Sequence, residues 1–159
     1  ELEGAKASLQ EELNNAEIEE INGISEELQT NTAERLELLE EERELISGSN
    51  EAFEDAREKA EDISNEEYKK EADSLVAAMN ARFDAHKTMT DTYTEALGAE
   101  QKLFEYLGEK EITQDAVDEH LNKIAEYSEP INEASETFTA ETEKINQLKG
   151  EIEQILENN

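Results

Sequence analysis

At 159 residues the chain is long enough for one domain, and a hydrophobic content of 35% with 5% aromatics leaves it only a thin core. Forty-four acidic against fourteen basic residues give a formal net charge of −30, which repels nucleic-acid phosphate and anionic headgroups and favours cationic partners or divalent ions. There is no cysteine, which excludes disulfides, thiol catalysis and cysteine metal sites, and no apolar run approaches the roughly 18 residues of a membrane span.

A bundle seam needs only about two or three apolar positions in seven, so an extended helical bundle suits this composition. One proline and six glycines in the whole chain favour long helices. High charge with low hydrophobicity borders on the composition of disordered chains, and periodicity is what sets this sequence apart from them. The chain opens on Glu1, already inside a helical pattern, which suggests a trimmed or processed chain and leaves room for a targeting segment removed before it.

From Leu2 to Ile63 the apolar positions Leu9, Ile21, Leu28, Leu36, Leu39, Ile46, Phe53, Ala56 and Ala60 recur mostly at steps of three or four, which predicts a first helix over about 2–63. Its weak points are Asn14-Asn15, Gly23 and Ser47-Gly48-Ser49-Asn50, where a kink or a break stays open. Ser64 followed by Glu67 has the spacing of a capping box, so a second helix is expected over about 65–107. Gly108 then stands where a left-handed C-terminal cap is commonest.

Thr113 is the expected cap of a third helix, about 114–156, with Asp115 in its first turn. Val117, Ile124, Ile131, Phe138, Ile145 and Ile152 stand seven residues apart, the repeat of helices that coil around one another. Pro130 lies inside this run without a phase change, which predicts a kink there. Short connections make neighbouring helices antiparallel. The expected fold is therefore all-α: one domain over 1–159, an elongated antiparallel three-helix bundle whose first helix is longest and overhangs by residues 1–20. Reflection at the turns puts Phe53, Val76 and Ile145 at one level, Leu39, Thr90 and Ile131 at another, and the small residues Gly48, Ala81 and Ala140 at a third.

Chemistry is harder to find. Phosphate-cradling glycine loops, the His-Glu-x-x-His pattern, calcium-loop spacing and the Glu-x-x-His pairs of di-iron bundles are absent from the sequence. No catalytic residue, metal site or cofactor is expected. His86 faces the core, level with Arg43 and Ser135, as a ligand or pH-sensitive group or as a polar layer that fixes register. His120 is too far along the chain to share a metal with it. Tyr93 and Tyr127 fall near Pro130, where their rings can stack on a sugar or peptide or pack at the bundle edge. Tyr93, Tyr127 and His86 are thus the candidate ligand-binding residues. Acidic runs such as Glu40-Glu41-Glu42 and Glu17-Glu19-Glu20 suit weak, diffuse divalent-cation binding, because a straight helix does not converge oxygens on one ion.

Three segments carry a likeness: Glu34-Arg35-Leu36-Glu37-Leu38-Leu39-Glu40-Glu41-Glu42-Arg43, the Ala78-Met79-Asn80-Ala81-Arg82-Phe83 run leading to Tyr93, and Leu103-Phe104-Glu105-Tyr106-Leu107 before Ile112-Thr113. In that order they resemble the YkyA-like family of lipoproteins named for cell-wall binding, over roughly Thr30 to Leu156. The resemblance implies an exported, extracellular protein of Gram-positive bacteria, anchored to the membrane by a lipidated N-terminal cysteine that this chain does not include. It also implies a helical bundle without enzymatic activity, and it transfers no site residue. A wall rich in anionic teichoic acid repels a chain at −30 unless divalent cations bridge the two or neutral glycan is the target.

The expected function is that of a non-enzymatic envelope lipoprotein ectodomain, binding the wall or serving as a spacer or scaffold. Its partners would be wall glycan or another envelope protein, with no nucleic acid and with membrane contact only through the lipid. The alternative is an interaction module in which the overhanging stripe Leu2, Leu9, Leu13 and Ile18 docks a partner helix or a second copy. Either way, self-repulsion opposes the compact state, so the melting temperature should rise between low salt and about 0.2 M, where the Debye length falls below about 10 Å. Thermal melts over a salt series check this, and a flat or falling trend contradicts it.

Overall fold

The computed structural model describes residues 2–15, 18–109 and 111–157, with side chains outside residues 12–19. Five helices account for nearly all of them: α1 (Leu2–Asn15), α2 (Ile18–Glu61), α3 (Glu66–Leu107), α4 (Gln114–Ala125) and α5 (Ser128–Glu157). The chain is all-α with long packed helices, as composition implied, and the extra helices arise where the sequence promised continuity.

The helix α2 runs unbroken through Ser47–Asn50. Gly48 is exposed, and a Cβ built on it would meet nothing within 4 Å, so the small-residue layer expected around it does not form. Nothing but backbone entropy then distinguishes glycine from alanine there. Gly48→Ala should stabilise the protein by about 0.5–1 kcal/mol in urea melts.

At the start of α3 the cap is Asn65 rather than Ser64: the Asn65 Oδ1 accepts from the backbone N–H of Glu67 at 2.9 Å and of Tyr68 at 3.2 Å. At its end Gly108 does not take the left-handed conformation, since no described glycine has positive φ. Its N–H instead reaches back to the carbonyls of Phe104 and Glu105. A side chain there would also crowd the Glu105 carbonyl at 3.3 Å and the Ser25 hydroxyl at 3.6 Å, so close approach is the use of this glycine.

Thr113 caps α4 as expected, with extended backbone and its hydroxyl accepting from the Ala116 N–H. The helix expected over 114–156 is interrupted at Glu126 and Tyr127, and Pro130 lies in the first turn of α5. Proline is tolerated there because the N–H it lacks would have no intrahelical partner in any case. The kink expected at Pro130 is thus an interruption just before it.

Contacts divide the chain into two compact units: Glu1–Glu41 with Asp91–Pro130, and Glu42–Thr90 with Ile131–Asn159. In the first, Leu28, Leu103 and Phe104 form a buried cluster against which Leu9, Ile24, Leu107, Val117 and Ile124 pack. The presence of Leu9 in this cluster overturns the overhang. Asn31 Nδ2 donates to the Leu2 carbonyl at 3.0 Å, so α1 lies back along α2 rather than extending beyond it. Burying Leu9 favours this return, and charged partners for Glu3 and Lys6 reinforce it. The stripe proposed as a docking face is spent internally at Leu9; Leu13 and Ile18 lie outside the described side chains. The link at residues 16 and 17, beside the Asn14-Asn15 weak point, also lies outside the described residues.

In the second unit Ala78, Ile145 and Leu148 are buried together, with Leu75 and Met79 against them. Phe53 meets Phe83 with ring centroids 6.3 Å apart. Arg82 lies 4.6 Å over the Phe138 ring and donates from Nε to the Thr142 hydroxyl at 3.0 Å. These pairings of α3 with α5 stay within one turn of the register that reflection at the turn implies.

Candidate functional site

The heptad phase that places Leu28 in the core of the first unit also places Arg35 there, and the 4-3-4 spacing of Tyr93, Leu97, Glu100 and Phe104 does the same for Glu100. Arg35 is 5% exposed and Glu100 7%, and the two face each other across α2 and α3, Arg35 Nη1 donating to Glu100 Oε2 at 2.7 Å. From α1, Lys6 pairs with the other Glu100 oxygen and Glu3 with Arg35 Nη2. The Tyr93 hydroxyl accepts from Arg35 and donates to Glu3, and its ring lies 5.3 Å under the guanidinium. Five side chains from three helices thus close one charge-paired cluster, which holds α1 in place.

Burial raises the Glu3 carboxyl, but the Tyr93 hydrogen bond and the charges of Arg35 and Lys6 outweigh it and hold Glu3 below the usual carboxylate range. Burial, reinforced by the bond to Glu3, pushes the Tyr93 phenol above its ordinary value. The lowered Glu3 contributes docking stability that is present above its unfolded-state pKa and lost as pH falls through the folded one. The raised Tyr93 contributes stability that is present below its ordinary value, about 10, and lost as pH rises through the folded one. Docking of α1 should therefore weaken toward both acid and alkali. Methyl NMR shifts of Leu9 across pH check this, and Glu3→Gln should flatten the acid limb relative to the parent chain.

The three candidate ligand residues sit in separate networks. Tyr93 belongs to the cluster just described. His86 is 3% exposed in the second unit, its Nε2 2.9 Å from Glu42 Oε1 and its ring 5.8 Å from that of Phe138. Tyr127 is half-buried between α4 and α5, with the Lys123 ammonium 5.3 Å from its ring centroid.

Lys123 opens onto a concavity of the first unit, a groove of about 700 Å³ along α4. Lys102, Asp118, His120, Asn122, Lys123 and Glu126 are among the side chains that line it. None of the α4 residues is buried, so these groups face solvent. Two aromatic rings brace it: Tyr106 packs on His120 with centroids 5.4 Å apart while its hydroxyl accepts from the Thr113 N–H at 2.9 Å, and Tyr127 lies beneath Lys123. The hydrogen bond to Glu126, at 2.6 Å, keeps the Lys123 ammonium above its ordinary value and charged. Ammonium and amide donors alternating with carboxylate acceptors suit a ligand rich in hydroxyl and amide groups. Among the described residues no three His, Cys, Asp or Glu side chains converge as a metal site.

Sequence reasoning reached Tyr127 but missed the groove beside it and the interior ion pair. The pair had a signal, opposite charges at core-phase positions of two helices. The groove had none, because Asp118, Asn122 and Glu126 read as an ordinary solvated face.

The profile of the YkyA family, described as "Putative cell-wall binding lipoprotein", matches residues 1–155. The chain belongs to the YkyA family. It is 30% identical over 140 residues to the uncharacterized lipoprotein YkyA of Bacillus subtilis (strain 168), an alignment that covers 88% of this chain and 63% of that relative. The chain therefore spans less than two thirds of the relative's length. Its fold matches the crystal structure of a conserved protein of unknown function from Staphylococcus aureus, with a TM-score of 0.84 and 26% identity over 95% of this chain and 77% of that one. As a member of the YkyA lipoproteins, the protein is extracellular and membrane-anchored at the cell envelope. None of these descriptions names a reaction.

Proposed function

We propose that the chain is the wall-contacting ectodomain of an envelope lipoprotein, a helical scaffold that catalyses no reaction and holds neutral wall glycan in the groove along α4. The observation that carries this reading is the family match over residues 1–155, whose description is of cell-wall binding. The groove supports it with solvent-facing donors and acceptors braced by Tyr106 and Tyr127. Tyr127 supports the ligand contact by holding Lys123 at the groove wall, while Tyr93 and His86 act at a distance by holding their units together. Neutral glycan is favoured over teichoic acid because the chain carries −30 and the groove itself has more carboxylates than ammonium groups.

The test is retention of the purified chain on cell-wall sacculi, with and without teichoic acid and with calcium or chelator present. Retention should survive removal of teichoic acid and addition of chelator, and the pair Tyr127→Ala with Asn122→Ala should weaken it by about tenfold. Retention only with calcium would assign the contact to ion bridging through the acidic faces. No retention under any condition would overturn wall binding.

A further inference from the structure

At one end of the second unit Ile63 of the connection between α2 and α3, the first turns of α3 and the last turns of α5 line an apolar slot of about 270 Å³. Ile63, Tyr68, Ala72, Ile152, Ile155 and Leu156 line it. Tyr68 and Ala72 stand four apart on α3, and Ile152 and Ile155 three apart on α5, so the walls are two helix ridges with a groove between them. Such a groove takes the ridge of a third helix. Leu156 is 65% exposed at its lip.

The surroundings of the slot determine what can enter. Glu71 shares its lining, Glu66 and Glu67 stand in the first turn of α3, and Glu153 and Glu157 flank Ile155 and Leu156 on the exposed side of α5. The last turn of α5 contains no basic residue, so the partial negative charge of that helix end is left uncompensated and a carboxylate is added to it. Carboxylates outnumber ammonium groups on these segments, and Lys69 is already paired with Asp73. An apolar slot rimmed in this way complements apolar side chains flanked by cations. A second copy of the chain would bring the same carboxylates and a further thirty excess negative charges.

We propose that this slot is a docking site for a basic amphipathic helix of a partner protein, whose leucine-type ridge seats between Tyr68, Ala72, Ile152 and Ile155 while its lysines or arginines meet Glu71, Glu153 and Glu157. This site is separate from the groove along α4 and does not depend on wall binding.

The probe is a synthetic helix with leucine at i, i+3, i+4 and i+7 and lysine elsewhere, titrated by fluorescence anisotropy at about 0.15 M salt, where long-range attraction is screened. Two variants carry the same added charge. Leu156→Asp lies in the slot, and Leu45→Asp, at a leucine 76% exposed on α2, lies outside it. Thermal melts of both should match the parent chain. Leu156→Asp should weaken peptide binding by about tenfold and Leu45→Asp should not, and a peptide with serine for leucine should bind at least tenfold more weakly. Diffuse attraction to an acidic protein predicts the opposite, tighter binding to both variants. Equal affinity for the two variants, equal affinity of the serine peptide, or no binding would overturn the proposal. So would a concentration-dependent dimer in sedimentation that Leu156→Asp abolishes, which would make a second copy the occupant. A fluorescent acyl probe that binds where the peptide does not would make it a lipid site and overturn the proposal as well.

Discussion

Glu100→Ala should destabilise the first unit by about 3 kcal/mol or more, the range expected when one partner of a buried ion pair is removed. Arg35 keeps Glu3 and Tyr93 in this variant, but Glu3 has a side chain 63% exposed and cannot replace a carboxylate that is 9% exposed. The guanidinium is then left buried with its main counter-charge gone, and its Nε already has no hydrogen-bond partner among the described residues. Lys6, 15% exposed, loses the same carboxylate and the contact that ties it to α3. Replacing both partners, as in Arg35→Met with Glu100→Leu, should recover part of the loss, because the buried guanidinium is gone while Lys6 still lacks its carboxylate. A double-mutant cycle in urea separates the pair energy from packing, and a near-additive outcome would show that the pair is not coupled. Tyrosine emission is a suitable probe, since Tyr93, Tyr106 and Tyr127 all lie in the first unit and Tyr68 alone in the second.

Phe104→Ala should cost about 3–5 kcal/mol, as large-to-small substitutions at buried aromatics do. Phe104 is 2% exposed, and the cluster it belongs to gathers Leu9 from α1, Ile24 and Leu28 from α2, and Val117 and Ile124 from α4. A cavity there is bounded by several helices, so collapse of any one of them fills little of it. The Ser25 hydroxyl donates to the Phe104 carbonyl, a bond the substitution leaves chemically intact, so the loss measures packing alone. Urea melts of this variant beside Leu45→Ala, a leucine 76% exposed, give the contrast: the latter should stay within about 0.5 kcal/mol. A small effect at Phe104 would mean that the cluster does not form.

Much of the helix inventory is legible in the chain. Thr113 caps where an extended residue before an acidic first turn should, α3 ends at Leu107 before Gly108, and the heptad from Ile131 to Ile152 is one helix. The misreadings have local causes. Ser64 and Asn65 are both good caps one residue apart, and sequence alone does not say which oxygen reaches the first free N–H groups. Gly48 looked as though it must pack against something, but an exposed glycine in a long helix needs no partner at all. Of the candidate ligand residues, spacing indicated that His86 faces the core and left Tyr93 between ligand stacking and edge packing, yet it carried no information on which acid or base either would meet.

Amino-acid order by itself determined the class of this protein: helical, acidic, without cysteine, and recognisable as a YkyA lipoprotein from segments spread along the chain. Those properties depend on composition and on contacts between residues three, four and seven apart, which every helix makes whatever surrounds it. Tertiary structure alone decided the return of α1 onto Leu28 and Phe104, the meeting of Lys6, Arg35 and Glu100, the polar groove along α4 and the apolar slot between Tyr68 and Ile155. Each joins residues distant in the chain, and periodicity specifies a helix face without specifying the partner that covers it.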